Sequence, residues 1–444
     1  MNSSSNVSGR SVGPNEAVRA AVMLVLLFGL THLTSGVAAS VLSDGRLAVL
    51  VGFLLLTASL AGTIAAAMGL PRLTGFILVG IAAGPSVSGL LPSAAVGDLK
   101  LIDDFALALI AMLAGGELQT QQLRPHARTI LWTTFGVTGI VWVGMVLAVF
   151  AVRPVVPFLA DLPWTGALGV ALLLGVWSAN SSPDLTVAVI EERHAKGTLV
   201  EILLGVTIVK DVVVILLFTL TLVLAAPLLR PGEGLSLDSF VLLAREVGGA
   251  LVVGSALGWV FSQYLGGAST RPRSPMATFL FAYVLVVVAA GLHIELLLTG
   301  VAAGFVIENL SPAGDRMIQG IRAVAVVIFA FFFAVAGASL DLGAVGRYGF
   351  AALVLFSARV ALTRYSARLA MRRAGTEASI VRLGWQGLIS QGGVSLGLIL
   401  VADQRFPEIG PELVALAMSI IIGNILGGPI LLGRALAAGE RGEG

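Results

Sequence analysis

The chain contains no cysteine, so it has no disulfide, no thiolate metal site and no cysteine nucleophile. Charge is scarce: 12% of its 444 residues are Asp, Glu, Lys or Arg, against about 25% in soluble domains. Lysine is scarcest of all, with only Lys100, Lys196 and Lys210. No HExxH, GxSxG or P-loop is present, and no two carboxylates stand at a catalytic spacing. The four histidines, His32, His126, His194 and His293, show no metal-ligand spacing. These absences argue against an enzyme and against a resident metal or cofactor. The formal net charge of +2 identifies no partner by itself, and no nucleic-acid partner is expected.

Apolar sequence fills the space. Hydrophobic residues make up 57% of the chain and the mean hydropathy is +0.98. The apolar runs are about 20 residues long and do not alternate, which fits membrane-spanning helices and not a β-barrel. The expectation is an all-α polytopic membrane protein of about 13–14 transmembrane helices. Segments fall near 17–38, 46–68, 71–91, 103–118, 129–151, 165–190, 201–225, 239–264, 275–292, 295–309, 321–340, 349–369, 379–402 and 412–434. Residues 1–42 form an N-terminal segment, 43–436 a membrane domain and 437–444 a short cytoplasmic tail, with no appended soluble domain expected. Residues 17–38 have two open readings. Arg10 and Arg19 precede the apolar run, and Val37-Ala38-Ala39 resembles a cleavage site, so a signal peptide competes with an extra helix. Placing the N-terminus in the cytoplasm puts roughly 15 basic residues in inner loops and 6 in outer ones, the bias of the positive-inside rule. The C-terminus is then cytoplasmic, in a bacterial-type inner membrane.

Against this background Lys210 and Asp211 stand adjacent in the middle of VEILLGVTIVKDVVVILLFTLTLVLAAP, residues 199–226. An ionised side chain at bilayer depth costs roughly 2.5–3.5 kcal/mol on insertion scales, so such residues face partners or a water-filled cavity and mark ion or proton pathways. The preceding segment reads WSANSSPDLT over 177–186. Pro183 interrupts a helix there, and Asn180, Ser181, Ser182 and Asp184 can satisfy the freed backbone groups. A second interruption is expected in ISQGGVS, residues 389–395, at Gln391, Gly392 and Gly393. Each alone reads equally well as a kink or a close helix contact. Two interrupted segments at corresponding places in two halves point to an inverted-repeat transporter. The likeness of Gly80-Ile81-Ala82-Ala83-Gly84 to Gly300-Val301-Ala302-Ala303-Gly304 adds a little. Arg359 lies deep in another segment and needs an internal partner, with Asp211 or Asp184 the obvious carboxylates. Glu308, Asn309, Arg245 and Glu246 sit at segment ends and read as interfacial or locally paired.

These residues carry a resemblance. Leu70 to Pro85, LPRLTGFILVGIAAGP, resembles an early helix of monovalent cation:proton antiporters of the CPA2 type, the sodium/hydrogen exchangers with a Kef-like membrane domain. The interruption at 180–186, the Ile208-Val209-Lys210-Asp211 helix, Phe331-Phe332-Phe333 with Gly337 and Leu340-Asp341, and Gln391-Gly392-Gly393 follow in the family's order. The resemblance covers about residues 46–434. It implies a homodimer in the lipid bilayer, inverted six-helix repeats with two crossing broken helices, and exchange of Na⁺ or K⁺ for H⁺. Asp211 is then the carboxylate that binds cation or proton, Asn180, Ser181 and Ser182 support it at the crossover, and Arg359 balances the crossover charge. Three departures stand out: Lys210 precedes the aspartate, Gln391-Gly392-Gly393 replaces a charged Arg-Gly-Glu, and no nucleotide-binding regulatory domain is expected after the membrane domain.

An exchange site must be either protonated or cation-loaded. Arginine stays charged in proteins, whereas a buried lysine can release its proton. Lys210 is therefore expected to titrate with the site, protonated when Asp211 is empty and neutral when a cation arrives. A permanent pair with Asp184 is the other open reading. If Lys210, Arg359, Asp211 and Asp184 are all ionised and close together, their charges cancel. Transport of an anion or organic solute on the same fold, and a non-transporting membrane sensor, are the competing functions.

Overall fold

The computed structural model describes residues 14–41, 46–92, 99–116, 118–230, 237–266, 275–310, 314–340 and 342–441. Asp341, Arg271, Arg273, residues 1–13 and the last three residues of the tail lie outside this set, as do the side chains of His32, Glu246 and Arg316.

Every element among the described residues is helical. Numbering those of nine residues or more gives α1 Pro14–Val41, α2 Arg46–Ala67, α3 Arg72–Ala83, α4 Lys100–Gly116, α5 Ala127–Val152, α6 Trp164–Ala179, α7 Pro183–Arg193 and α8 Thr198–Leu229. There follow α9 Leu237–Gly266, α10 Pro275–Leu292, α11 Leu296–Leu310, α12 Gly314–Arg322, α13 Ala325–Ala338, α14 Gly343–Ala374, α15 Gly393–Arg405 and α16 Gly410–Glu440. Prolines open helices where their missing N–H costs nothing, as at Pro183 and Pro275. Gly375, at φ 80°, ends α14 in the left-handed conformation that glycine adopts without strain.

Among the described residues, six helices are long and apolar enough to cross a membrane by length and composition. Further apolar helices are shorter, such as Arg72–Ala83 and Ala325–Ala338. At a rise of about 1.5 Å per residue, a 12-residue helix reaches about 18 Å of a roughly 30 Å hydrocarbon core. Two of the segments expected from sequence are split. The run at 165–190 separates into α6 and α7, and the run at 379–402 into Ala378–Leu383, a 3₁₀ turn over Gly384–Leu388, and α15.

The chain packs as two compact units. One comprises residues up to Leu99 with Ala330–Ser339. Here Gly80 and Gly84 of α3 lie against the backbone of Ala334 and Ala338, and Gly337 against Ile77. Any β-carbon at these glycines would collide with backbone, so small residues set the helix separation. The other unit holds Lys100–Phe329 and Leu340–Gly444. In it α14 packs on α5 and α16, α6 lies between α5 and α8, and α11 runs against α4 and α9. Gly300 and Gly304 serve there as Gly80 and Gly84 do in the first unit, meeting Ala111 and Met112 of α4. Both interrupted helices belong to this second unit.

Candidate functional site

The polar centre is built where α6 stops. Its last carbonyls have no further helical turn to bond, and Asn180 continues in an extended conformation, φ −63° and ψ 152°. The chain resumes as α7 with Ser182 as N-cap, whose hydroxyl accepts from the Leu185 N–H at 3.2 Å. The second interruption, Ile389–Gly392, lies directly against the first. Ser182 N–H donates to the Ser390 carbonyl at 2.9 Å, and Ser181 Oγ donates to the Leu388 carbonyl at 2.7 Å. Trp177 Nε1 reaches the Ser395 carbonyl at 2.8 Å, and Asn180 Nδ2 reaches Ser395 Oγ at 3.1 Å. The two breaks therefore satisfy each other's backbone groups, as buried main chain must.

Arg359 of α14 joins both interruptions. Its Nε donates to the Ser178 carbonyl at 2.7 Å, Nη2 to the Asn180 carbonyl at 2.6 Å, and Nη1 to both the Ile389 carbonyl and Asn424 Oδ1 at 2.7 Å. The C-terminal ends of two helical segments carry partial negative charge, and the guanidinium sits on both. Its four donated bonds go to carbonyl oxygens, not to the carboxylate expected from the sequence. Asn424 of α16 completes the clasp: its Nδ2 donates to Gln391 Oε1 at 2.8 Å, while Gln391 Nε2 donates to the Trp177 carbonyl at 3.0 Å. Gln391 thus bonds across the crossing as a neutral amide.

The opposite poles carry the opposite charge. Asp184 lies in the first turn of α7 and contacts the N-cap hydroxyl of Ser182. It also faces the start of α15: a β-carbon on Gly392 would lie 2.8 Å and 2.9 Å from its two carboxylate oxygens. Helix N-termini favour anions. Gly392 must be glycine for the carboxylate to come so near.

Helix α8 presents Lys210 and Asp211 to this crossing. Lys210 Nζ donates to Ser181 Oγ at 2.8 Å, so the hydroxyl, not Asp184, receives the ammonium. Asp211 has the Asn180 side chain as its polar neighbour, and Glu295 and Asp184 as its charged ones. Its Oδ1 is buried without a hydrogen-bond partner. Asn180, Ser181, Ser182, Asp184, Lys210, Asp211, Arg359 and Gln391 are each at most 3% exposed. The structure thus brings all the named site residues together, with Gly392 and Gly393 at the start of α15.

Three further residues belong to this centre. Ser395 and Asn424 hold the breaks as described. Glu295 accepts from the Leu297 N–H at 3.0 Å and from Leu298, capping α11 beside Asp211. A lone asparagine in the apolar run SIIIGNILGGP was the one sequence signal for Asn424. Glu295 stands at the edge of the segment expected at 295–309, and nothing in the sequence placed it beside Asp211.

The weaker candidates lie elsewhere. Glu308 accepts from Gln119 Nε2 at 2.8 Å, and Asn309 Nδ2 donates to the Leu118 and Phe305 carbonyls. Arg245 is exposed. His126 pairs with Glu201 at 3.2 Å, and His194 and His293 occupy turns at φ 51° and 55°. Among the described residues, no group of three or more His, Asp or Glu side chains could hold a metal ion.

The profile of the family described as "Sodium/hydrogen exchanger, transmembrane" matches residues 53–438. Two solved structures of the sodium proton antiporter MjNhaP1 from Methanocaldococcus jannaschii share the fold. One, determined at pH 8, has 16% identity and a TM-score of 0.66, covering 88% of this chain and 99% of that one. The other, an electron-microscopy map, has 16% identity and a TM-score of 0.68, covering 90% of this chain and 97% of that one. No curated protein sequence matches the chain.

Proposed function

The chain belongs to the sodium/hydrogen exchanger family, and from that premise we propose that it exchanges Na⁺ or K⁺ for protons by alternating access, with Asp211 carrying either one. It is an integral multi-pass membrane transporter and not an enzyme. The observation that carries the assignment to Asp211 is the orphan Oδ1, buried at the crossing of two interrupted helices. A buried carboxylate oxygen without a donor is costly. A proton or a dehydrated monovalent cation relieves it, and the two cannot occupy it together.

The surroundings favour a cation over an anion. Glu295 and Asp184 both act on Asp211, and Asp103 at the start of α4 has Asp184 among its charged neighbours. Arg359 is engaged by carbonyls and is not free to receive an anionic solute. Lys210 is the titrating partner. It leans on Ser181, next to the Asn180 amide that adjoins Asp211, so its charge can substitute for the cation when the site is empty. With Lys210 and Arg359 charged, two of the three carboxylates at the crossing, Asp184, Asp211 and Glu295, are offset. Loss of the lysine proton as a cation enters keeps that offset.

The order of motifs supports a CPA2-type exchanger, a homodimer in a bacterial-type inner membrane, and a cytoplasmic C-terminus. The membrane domain is assigned to residues 43–436.

The test is dequenching of a pH-sensitive dye in proteoliposomes across Na⁺, K⁺, Li⁺ and organic-anion salts, wild type beside Asp211→Asn and Asp211→Ala. Cation-dependent proton movement in the wild type and none above empty vesicles in either variant is the expected result. Full activity in either variant removes Asp211 from the mechanism, and flux driven only by organic anions replaces the exchange reading.

A further inference from the structure

The end of α14 remote from the crossing carries basic charge that exchange does not use. Arg364, Arg368 and Arg372 stand four residues apart, so they share one helix face. Like charges at that spacing destabilise a helix. Arg382 joins them from the short helix Ala378–Leu383, and Arg364, Arg372 and Arg382 are the charged neighbours of Arg368. The stripe borders a cavity of about 740 Å³ between α14, Trp385 and Leu431 of α16. A second cavity of about 460 Å³ shares Arg368 and Arg372. Among the described residues, no carboxylate lines either one.

Basic residues at a helix end are common in membrane proteins, but two features here go further. Arg368 Nε and Trp385 Nε1 are both buried donors with no hydrogen-bond acceptor. Both side chains line the larger cavity. Arg364 lies over the Trp385 ring, 5.4 Å from its centroid, which fixes the guanidinium at the rim. Below the arginines the same cavity is walled by Phe356, Val360 and Leu431. The groove is thus basic at one end and apolar at the other. From Phe356 to Arg372 is sixteen residues, about 24 Å of helix, close to one leaflet of a roughly 40–45 Å bilayer with its headgroups.

We propose that this groove binds an anionic phospholipid, with the phosphate between Arg364, Arg368 and Arg372 and an acyl chain along Phe356 and Val360. The phosphate oxygens supply the acceptors that Arg368 Nε and Trp385 Nε1 lack. Basic pockets between transmembrane helices are suited to such headgroups, and the apolar wall selects a lipid over a soluble phosphate. The site is separate from the crossing and independent of which ion is exchanged.

The experiment uses the full chain purified in detergent. Thermal unfolding is followed with added phosphatidylglycerol, phosphatidylcholine, glycerol phosphate or inorganic phosphate, and bound lipid is counted by native mass spectrometry. Phosphatidylglycerol is expected to raise the melting temperature and to remain bound, and the other three to have little effect. The triple variant Arg364→Gln, Arg368→Gln, Arg372→Gln is expected to lose both responses. A control with Arg19→Gln, Arg245→Gln and Arg405→Gln, exposed arginines that line neither cavity, removes the same charge and is expected to keep them. If the first triple variant does not fold, Arg368→Gln alone should lower phosphatidylglycerol occupancy several-fold. Unchanged occupancy in the variants, equal loss in the control, or full stabilisation by inorganic phosphate each overturns the proposal.

Discussion

Arg359 Nη2 holds the Asn180 carbonyl at 2.6 Å, while the Asn180 side chain adjoins Asp211. One residue therefore meets the permanent positive charge through its backbone and the Asp211 carboxylate through its side chain. Replacing Arg359 by Ala leaves up to four buried acceptors without a donor, a loss of about 3–5 kcal/mol or more. Arg359→Lys keeps the charge but lacks the planar fork that reaches several carbonyls, so an intermediate loss is expected. Melting of the purified protein orders the three as wild type, Lys, Ala. Equal melting temperatures contradict a clasp.

Lys210→Gln removes the charge but keeps a donor for Ser181 Oγ. The fold should survive. Exchange should lose part of its pH dependence, and the charge moved per cycle should change. Dye assays over a pH series, with the membrane potential clamped and unclamped, read both. An unaltered profile and stoichiometry refute the titrating role.

Gly392→Ala places a methyl group 2.5 Å from Ser182 Oγ and 2.8 Å from Asp184 Oδ2. Overpacking of this kind costs about 1–3 kcal/mol, and it pushes Asp184 away from the start of α15. Transport is expected to fall by about tenfold or more, the factor that about 1.4 kcal/mol represents. Gly139→Ala, which meets nothing within 4 Å, should leave flux and melting unchanged. Equal flux in the two variants argues that Asp184 need not sit there.

Glu408 tests pH dependence away from the site. Its hydrogen bond to Arg230 holds its carboxyl below the usual glutamate range. A depressed folded-state value means that the stabilisation is complete above the unfolded value and is lost as pH falls through the folded one. The pair is largely exposed, so the effect is only about 0.2–1 kcal/mol. Glu408→Gln should melt slightly lower than wild type at neutral pH, and the difference should vanish in acid. A difference that grows on acidification contradicts the assigned pair.

The helices were legible as apolar runs, although only six of those described are long and apolar enough to cross a membrane by length and composition. Both interruptions were legible too, from Pro183 and from Gly392-Gly393. Their mechanism was less so. Pro183 does not kink a continuous helix; it begins α7, and the break is the stretch Asn180–Ser182 before it. Lys210, Asp211 and Arg359 announced themselves because ionised groups are expensive in lipid. Asn424 and Ser395 are neutral and short, and nothing local separates them from residues that merely pack between helices. Arg359's partners were hidden for another reason. Sequence suggests a carboxylate for every buried guanidinium, whereas interrupted helices offer bare carbonyls, and those are visible only once the breaks are aligned. The division into two packed units left no mark in composition.

Helix α14 runs unbroken from Gly343 to Ala374. Arg359, clamped at the crossing, and Arg372, near the helix's far end, lie thirteen residues apart on it, about 20 Å along one rod. On the proposed exchange reading, this continuous helix ties the crossing to the arginine-bearing end, so a tilt at one is carried to the other and the lipid groove and the exchange site are mechanically linked.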